Sequence, residues 1–393
     1  MGGWAAEVRR AYAFCKVASF LNADQFQGRF VPDMQVLPPR DVSSSAAAVL
    51  SRRWFPAGRA SVSPLQGGGF SGSPLFRVEA AGGLHVLKAF PPGTPMGRVC
   101  FVHAAVRHLR SCGVTEVPTV RLAADGETFV ADAAGHYWEL QGFVAGESTG
   151  QPTVEQAAAA MRVVARIHLA AATLAENPPD VGPSPGIARR IEQARGMVAR
   201  PWAGIEPAEE ADAPLGTRLR PLLGKAAAVL AACEGEPLVV RVATLQAHAV
   251  PRQTVLRDLW APHVLFARAG DPSVMGIVDC HAMGLDTPAT DLARLLGSWA
   301  VEAGFETATD WDSALDAYSQ VRPMAERERR LVPFLAASGV VFGLDNWFRW
   351  IFEQGRRFGD HPAVVGRVER LTAALPAALS LLRAQLAEPG FDR

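Results

Sequence analysis

Residues 67–72 read GGGFSG. Gly67, Gly68, Gly69, Phe70, Ser71 and Gly72 together satisfy the spacing G-x-G-x-x-G, in which bare backbone amides can approach phosphate oxygens. Lys88 follows in the apolar run HVLKAF. Strand alternation sets Val86, Lys88 and Phe90 on one face and Leu87 and Ala89 on the other. A cation on such a face needs a partner, and a nucleotide phosphate would serve; the alternative is an edge-strand lysine reaching for water. Much later, LRDLWAPHVLF carries Asp258, with His263 five residues on, and Asp279 ends the run MGIVD twenty-one residues after Asp258. One carboxylate can orient an acceptor hydroxyl and the other can hold a metal, the two roles phosphoryl transfer asks of acidic side chains. Singly, either aspartate reads as a turn or cap residue. Their order after the glycines and the lysine is what points to chemistry.

The glycine loop excludes two common phosphate cradles. A dinucleotide fold needs a helix directly after the glycines, but Ser73, Pro74 and the strand-like LFRVEA follow. A Walker A loop needs Lys after the last glycine, and Ser73 stands there. A glycine-rich hairpin tip lying over phosphates fits better.

The elements that must carry these residues change in texture along the chain. Residues 61–145 hold the β-type runs LFRVEA, HVLKAF, VRLAAD, ETFVAD and HYWELQGFV, with AAGG and DG between them as hairpin turns. One helix, Val99 to Ser111, interrupts them. A helix capped by Thr153 is expected from Val154 to Ala175, a weaker one from Ile187 to Arg200, and helices from Asp291 to about residue 386. VLFARAG and VMGIVDC read as strands flanking a turn at Asp271-Pro272. The expected fold is α+β, with a small β-rich N-lobe and a larger helical C-lobe. The expected division is a helical extension over 1–50, a nucleotide-binding lobe over 51–145 and a lobe carrying the catalytic and metal loops over 146–393.

Composition bounds the partners. Of 393 residues, 49% are hydrophobic and 20% charged, enough apolar material for a sizeable core. Thirty-nine basic residues balance thirty-nine acidic ones, so neither nucleic acid nor an anionic membrane is expected as a partner. The five cysteines show no CxxC spacing, and the start of the chain has no continuous apolar stretch. The longest apolar run, Leu331 to Leu344, is too short to span a bilayer. A cytoplasmic protein with free thiols is the expectation.

GGGFSG, VLK around Lys88, WELQGFVAGES, RIH at 166–168, LRDLWAPHVLF, GIVD and DLARLL at 291–296 occur in the order of the aminoglycoside phosphotransferase family, which the chain resembles from about residue 60 to 300. That resemblance implies a protein-kinase-like two-lobe fold and ATP-dependent transfer of the γ-phosphate to a hydroxyl of a small molecule. It implies that 67–72 covers the ATP phosphates and that Lys88 pairs with the α/β-phosphates. Asp258 would be catalytic, Asp279 would bind Mg²⁺, and the backbone of Glu139, Leu140 and Gln141 would meet the adenine. Asp291 would cap its own helix, and His168 reads as a satisfied core histidine.

Three positions depart from the family. Leu256 stands where a histidine is usual, with Arg257 in place of the usual glycine. His263 occupies the place of a metal-binding Asn; imidazole is a poor ligand for Mg²⁺ and a good one for Mn²⁺, so either the second metal site is altered or it is absent. No Asp or Glu occurs between Glu79 and Glu116, so the usual helix glutamate for Lys88 is missing, and Asp132 or Glu139 are the substitutes in view. These departures keep open a catalytically weak or dead nucleotide-sensing module with a protein partner, and a different transfer chemistry such as nucleotidyl transfer. On the acceptor side, Glu302, Glu306, Asp310, Asp312 and Asp316 lie in a stretch without Lys or Arg. They read as seats for a cationic substrate or as a solvated helix face. Trp299, Trp311, Trp347 and Trp350 read as core or as the wall of a pocket.

Overall fold

The computed structural model describes residues 44–388 apart from 57, 59, 66–72, 207–212, 269, 304 and 306–310. The glycine loop, Gly67 to Gly72, and most of the expected N-terminal extension lie outside the described residues.

A short helix, α1 (Ser44–Ser51), precedes β1 (Ser61–Pro64), β2 (Leu75–Ala80) and β3 (Gly83–Ala89). Helix α2 (Met96–Ser111) follows, then β4 (Val130–Ala131) and β5 (Tyr137–Gly142). The five strands form one antiparallel sheet in the order β1-β2-β3-β5-β4. The tight β2–β3 connection requires Gly82 and Gly83, both at positive φ, where side chains are strained. Alternation in β3 holds as expected. Leu87 and Ala89 pack with Phe76, Val78, Trp138 and Leu140 under Ala47, Trp54 and Phe55, while Phe90 joins the larger core. The runs at 120–125 and 127–132 do not become full strands. The turn at Gly126 folds the chain back on itself through Ala123 N–H to Glu127 O, leaving one bridge at Val120 and the two residues of β4.

The remainder is mainly helical: α3 (Val154–Ala171), β6 (Asp180–Pro183), α4 (Pro185–Ala199), α5 (Ala213–Ala232), α6 (Gly235–Thr244), β7 (Ala249–Val255), β8 (Val264–Phe266), β9 (Val274–Ile277), β10 (Gly284–Asp286), α7 (Ala289–Ala303), α8 (Trp311–Ser319), α9 (Glu326–Phe348) and α10 (His361–Ala387). Thr153 and Gln156 form a reciprocal capping box at the start of α3. Strands β6, β7 and β10 pair in the order β10-β7-β6, and β8 with β9 makes a separate hairpin. The architecture is α+β, with a β-sheet N-lobe and a helical C-lobe. Helix α2 buries Val99, Val102, Val106 and Leu109 in the large core, so the two lobes share apolar packing.

Among the described residues one helix, 326–353, is long and apolar enough to cross a membrane, yet 72% of its most apolar window is buried. It is a core helix packed between α7 and α10. Trp299, Trp311 and Trp347 are buried in the same core, and Trp350 packs edge-on to Trp347. Of the two readings of these tryptophans, the core is the one realised.

Candidate active site

The pleat of β3 turns Lys88 away from the small apolar cluster and leaves it 8% exposed at the junction of the lobes. Its Nζ donates to Asp279 Oδ1 at 2.5 Å. Asp279 arrives there because Val264 pairs with Ile277 across the β8–β9 hairpin and Val278 N–H donates to His263 O. The chain then reverses at Asp279, whose φ of 63° lies in the left-handed region. Burial pushes the Asp279 carboxyl upward, but the Lys88 charge, foremost, and the Lys88 hydrogen bond outweigh it and hold the group below the usual carboxylate range.

In place of the helix glutamate, Lys88 pairs with Asp279, and the nearby acid of β5 is engaged by histidines. Glu139, in register with Lys88 across β3 and β5, is fully buried. Its Oε2 lies 2.7 Å from His103 Nε2 of α2, and its Oε1 lies 2.5 Å from His281 Nε2. His281 stacks on Phe90 with ring centroids 3.9 Å apart, and its Nδ1 lies 3.9 Å from Asp279 Oδ1. Burial pushes the Glu139 carboxyl up; the His281 charge and the hydrogen bonds of His103 and His281 overcome that and hold it far below the usual range. Asp132, the other substitute, is engaged instead with His136 and the indole of Trp138. Histidines 103 and 281 were missed as site residues. His281 stands two positions after Asp279, and that adjacency was the available signal.

Asp258 sits on a loop whose backbone is clamped from below. As β7 ends, Leu256 N–H and Arg257 N–H donate to Asp291 Oδ2 and Oδ1 at 2.7 and 2.6 Å. Asp291 was expected to cap its own helix; it lies in the first turn of α7, but its carboxylate is spent on this loop. It also accepts from His168 Nε2 at 3.0 Å, and the other ring nitrogen of His168 meets Tyr318 Oη at 2.7 Å. His168 is thus the satisfied core histidine the sequence suggested. Arg257 has a φ of 64°, which explains glycine's usual presence there. The Asp258 side chain is 38% exposed and pairs with Arg294 of α7.

Two sequence assignments need correction. His263 was proposed as a metal ligand, but the Trp260 indole N–H donates to His263 Nε2 at 2.9 Å. An indole can only donate, so Nε2 is the acceptor, and Nδ1 carries the proton that goes to Asp258 O at 2.8 Å. No lone pair remains for a cation. Burial, foremost, lowers the imidazole pKa and keeps it neutral. The second correction concerns adenine. Glu139, Leu140 and Gln141 lie inside β5, paired with Lys88, Leu87 and Val86, and Leu140 O also accepts from Arg121 N–H. That backbone is already used.

The residues present fit Mg²⁺ in a limited way. No group of three acidic, His or Cys side chains gathers among the described residues. Mg²⁺ does not demand one, since it commonly keeps waters and takes one or two carboxylates plus substrate phosphates. Asp279 provides such a carboxylate.

The chain's similarities agree with this geometry. The family model described as the phosphotransferase enzyme family matches residues 62–331. A homoserine kinase of Gluconacetobacter diazotrophicus is 33% identical over 104 residues, which cover 26% of this chain and 32% of that protein. A homoserine kinase of Xanthobacter autotrophicus is 24% identical over 281 residues, covering 70% of this chain and 77% of that one. Among solved structures, spectinomycin phosphotransferase APH(9)-Ia in complex with ADP and spectinomycin superimposes with a TM-score of 0.57 at 12% identity, covering 88% of this chain and 99% of that chain. An aminoglycoside phosphotransferase from Alicyclobacillus acidocaldarius gives 0.53 at 15% identity, with 86% and 95% covered. At such identities these structures bear on the fold, which is protein-kinase-like.

Proposed function

The chain belongs to the phosphotransferase enzyme family, and we propose that it moves the γ-phosphate of ATP to a hydroxyl of a small molecule. The observation that carries this reading is the 2.5 Å contact of Lys88 with Asp279, residues 191 positions apart, beside the clamped loop of Asp258. His263 links the two loops: it donates to Asp258 O, and its Nε2 lies 3.8 Å from Asp279 Oδ2.

In this reading residues 51–145 form the nucleotide lobe and 146–393 carry the catalytic and metal loops. The glycines at 67–72 cover the phosphates, and Lys88 leaves Asp279 to pair with them. The connector after β5, residues 144–146, meets the adenine. Asp279 would hold Mg²⁺, which would supply neutralisation of phosphate charge. Asp258 accepts the proton of the acceptor hydroxyl as its oxygen bonds to the γ-phosphorus and the bond to the β,γ-bridging oxygen breaks, releasing ADP. Arg294 must first yield Asp258. The free thiols of Cys100, Cys112, Cys233 and Cys280 support a reducing compartment, the cytoplasm.

The pairing of Lys88 with Asp279 favours catalysis over a non-catalytic nucleotide sensor. The test is thermal unfolding with ATP and Mg²⁺ on the native chain and an Asp279→Ala variant. A ligand at a hundred times its Kd stabilises by about 2.7 kcal/mol, so a clear rise is expected in the native chain alone. No rise in either would overturn the reading.

A further inference from the structure

The acids that sequence offered as seats for a cationic acceptor are engaged elsewhere. Asp312 and Asp316 both pair with Arg329, and Glu302 pairs with Arg370 at 2.8 Å and Arg367 at 3.7 Å. Glu306 and Asp310 lie outside the described residues. The surroundings of Asp258 carry the opposite charge.

Arg294 is paired to Asp258 itself. Arg257, next in the chain, is exposed and in the left-handed region. Arg189 comes from the first turns of α4, and the fold ties those turns to the same loop. Asp286, at the end of β10, accepts from Ser184 Oγ at 2.5 Å and Gly186 N–H at 2.9 Å. Strand β10 in turn pairs with β7 through Gly284 and Val255, directly before Leu256. On the far side, the Arg367 guanidinium lies 5.6 Å from the centre of the Trp260 ring.

Arg189 is solvent-exposed. Partial desolvation and repulsion by Arg294 and Arg257 lower its pKa. Burial and Arg294 push Arg367 down to about 10. Burial and Arg257 likewise push down Arg98, whose Nη2 donates to His281 O at 2.6 Å. Arginines 189, 257, 294, 367 and 370 therefore face three acids, Asp258, Glu302 and Asp286, the last shared between Arg257 and Arg190. Arg190 is satisfied by Ser338 Oγ, Gly186 O and Leu335 O. In a chain whose formal charge is zero, this is a local positive excess.

Arg190 shows what a structural arginine looks like here. Arg189 and Arg257 differ, because among the described residues neither guanidinium makes a hydrogen bond or an ion pair. Arg257 also occupies a backbone conformation in which glycine would be unstrained. Mutually repelling guanidiniums with vacant donors match the planar, two-oxygen geometry of carboxylate and phosphate groups.

We propose that the acceptor carries an oxyanion, a carboxylate or a phosphate ester, which Arg189, Arg257 and Arg294 hold while its hydroxyl is directed at Asp258. Arg294 exchanges the Asp258 carboxylate for the oxyanion of the acceptor, so binding and exposure of the catalytic carboxylate are one event. Of the acids that the sequence offered to a cationic sugar, Glu302, Asp312 and Asp316 are paired with arginines. The inference rests on the phosphotransferase reading for the role of Asp258.

The test is binding to the full chain with Mg²⁺ and a non-hydrolysable ATP analogue, followed by thermal shift at constant ionic strength. Malate and glycerol 3-phosphate are the oxyanion probes, and kanamycin is the cationic one. A saturable rise with malate or with glycerol 3-phosphate is expected, and the stronger of the two names the oxyanion. Arg189→Ala and Arg257→Gly should each weaken the apparent Kd about tenfold or more. Arg257→Gly relieves the left-handed backbone, so its loss of binding cannot be put down to unfolding. Stabilisation by kanamycin alone, no shift with either anion, or shifts undiminished in both variants would each overturn the proposal. The nucleotide analogue reports separately: no shift with it removes the phosphotransferase reading, while an anion shift lost in the variants still upholds the arginine site.

Discussion

His103 on α2 and Glu139 on β5 meet 2.7 Å apart in the buried seam between the lobes. In the kinase-like fold, the strand lysine is expected to pair with a glutamate on this helix. Here the helix carries the base and the neighbouring strand carries the acid. His281, bonded to the same carboxylate, extends the contact to the loop of Asp279. The position of α2 is thereby tied to that of the metal-side loop through Glu139.

Glu139→Gln should loosen this seam. Removing one member of a buried charged contact costs about 3–5 kcal/mol; Gln keeps a hydrogen bond, so the lower end is expected. The folded carboxyl titrates below its ordinary value. Its contribution is therefore complete above the unfolded pKa near 4.5 and is lost as pH falls towards the folded one. Urea midpoints from pH 7 to pH 3 check this, because the gap between native chain and variant should shrink only on the acid side.

Asp258→Asn should lower turnover by about 10²–10⁴-fold, the usual contribution of a positioned general base. The melting-temperature rise with ATP and Mg²⁺ should persist. Coupled ADP release and thermal unfolding on the same preparation separate the two effects, and unchanged turnover would rule out Asp258 as the base.

Asp291→Ala leaves the buried Leu256 N–H, the part-buried Arg257 N–H and His168 without their acceptor. At about 1–3 kcal/mol for each unsatisfied group, stability should fall by several kcal/mol. Asp291 touches no reacting group, yet kcat should fall more than KM rises, because the loop of Asp258 loses its anchor. Steady-state kinetics at a temperature where the variant is folded measures the split.

Mg²⁺ and Mn²⁺ should support ATP-dependent thermal shifts of similar size, since the His263 lone pair is occupied by Trp260. Trp260→Phe removes the indole N–H and frees Nε2, a nitrogen that suits Mn²⁺ better than Mg²⁺. A shift of preference towards Mn²⁺ in that variant alone is the expected result.

Thiol reactivity should sort by depth. Cys112 is exposed and should react with a disulfide reagent within the mixing phase at pH 8. Cys280 is buried, and burial, aided by Asp279 and Glu139, pushes its thiol up to about 12. The raised folded pKa stabilises the native state fully below the ordinary thiol value, and that benefit fades as pH climbs towards 12. Release of the Cys280 signal should therefore track unfolding. Rapid labelling of Cys280 in the native chain would contradict its burial.

Sequence alone determined the parts of this protein that depend on neighbours along the chain. Alternation set Lys88 opposite Leu87 and Ala89, Thr153 announced the cap of its helix, and the runs VLF and MGI between Asp258 and Asp279 read as strands flanking a turn. The order of those motifs carried the α+β, two-lobe expectation. The same order put the adenine contacts on Glu139 to Gln141, which fold inside β5, because a strand's end cannot be read from composition when its last residues look like its first. What tertiary structure decided was which charges meet. Glu139 reaches His103 and His281 from 36 and 142 residues away, and Asp258 finds Arg294 on a different element. Acidic residues without nearby bases in sequence turned out to be paired with arginines of later helices. Coulomb energy and desolvation depend on separation and burial in space, and neither quantity exists for a side chain until the elements have packed.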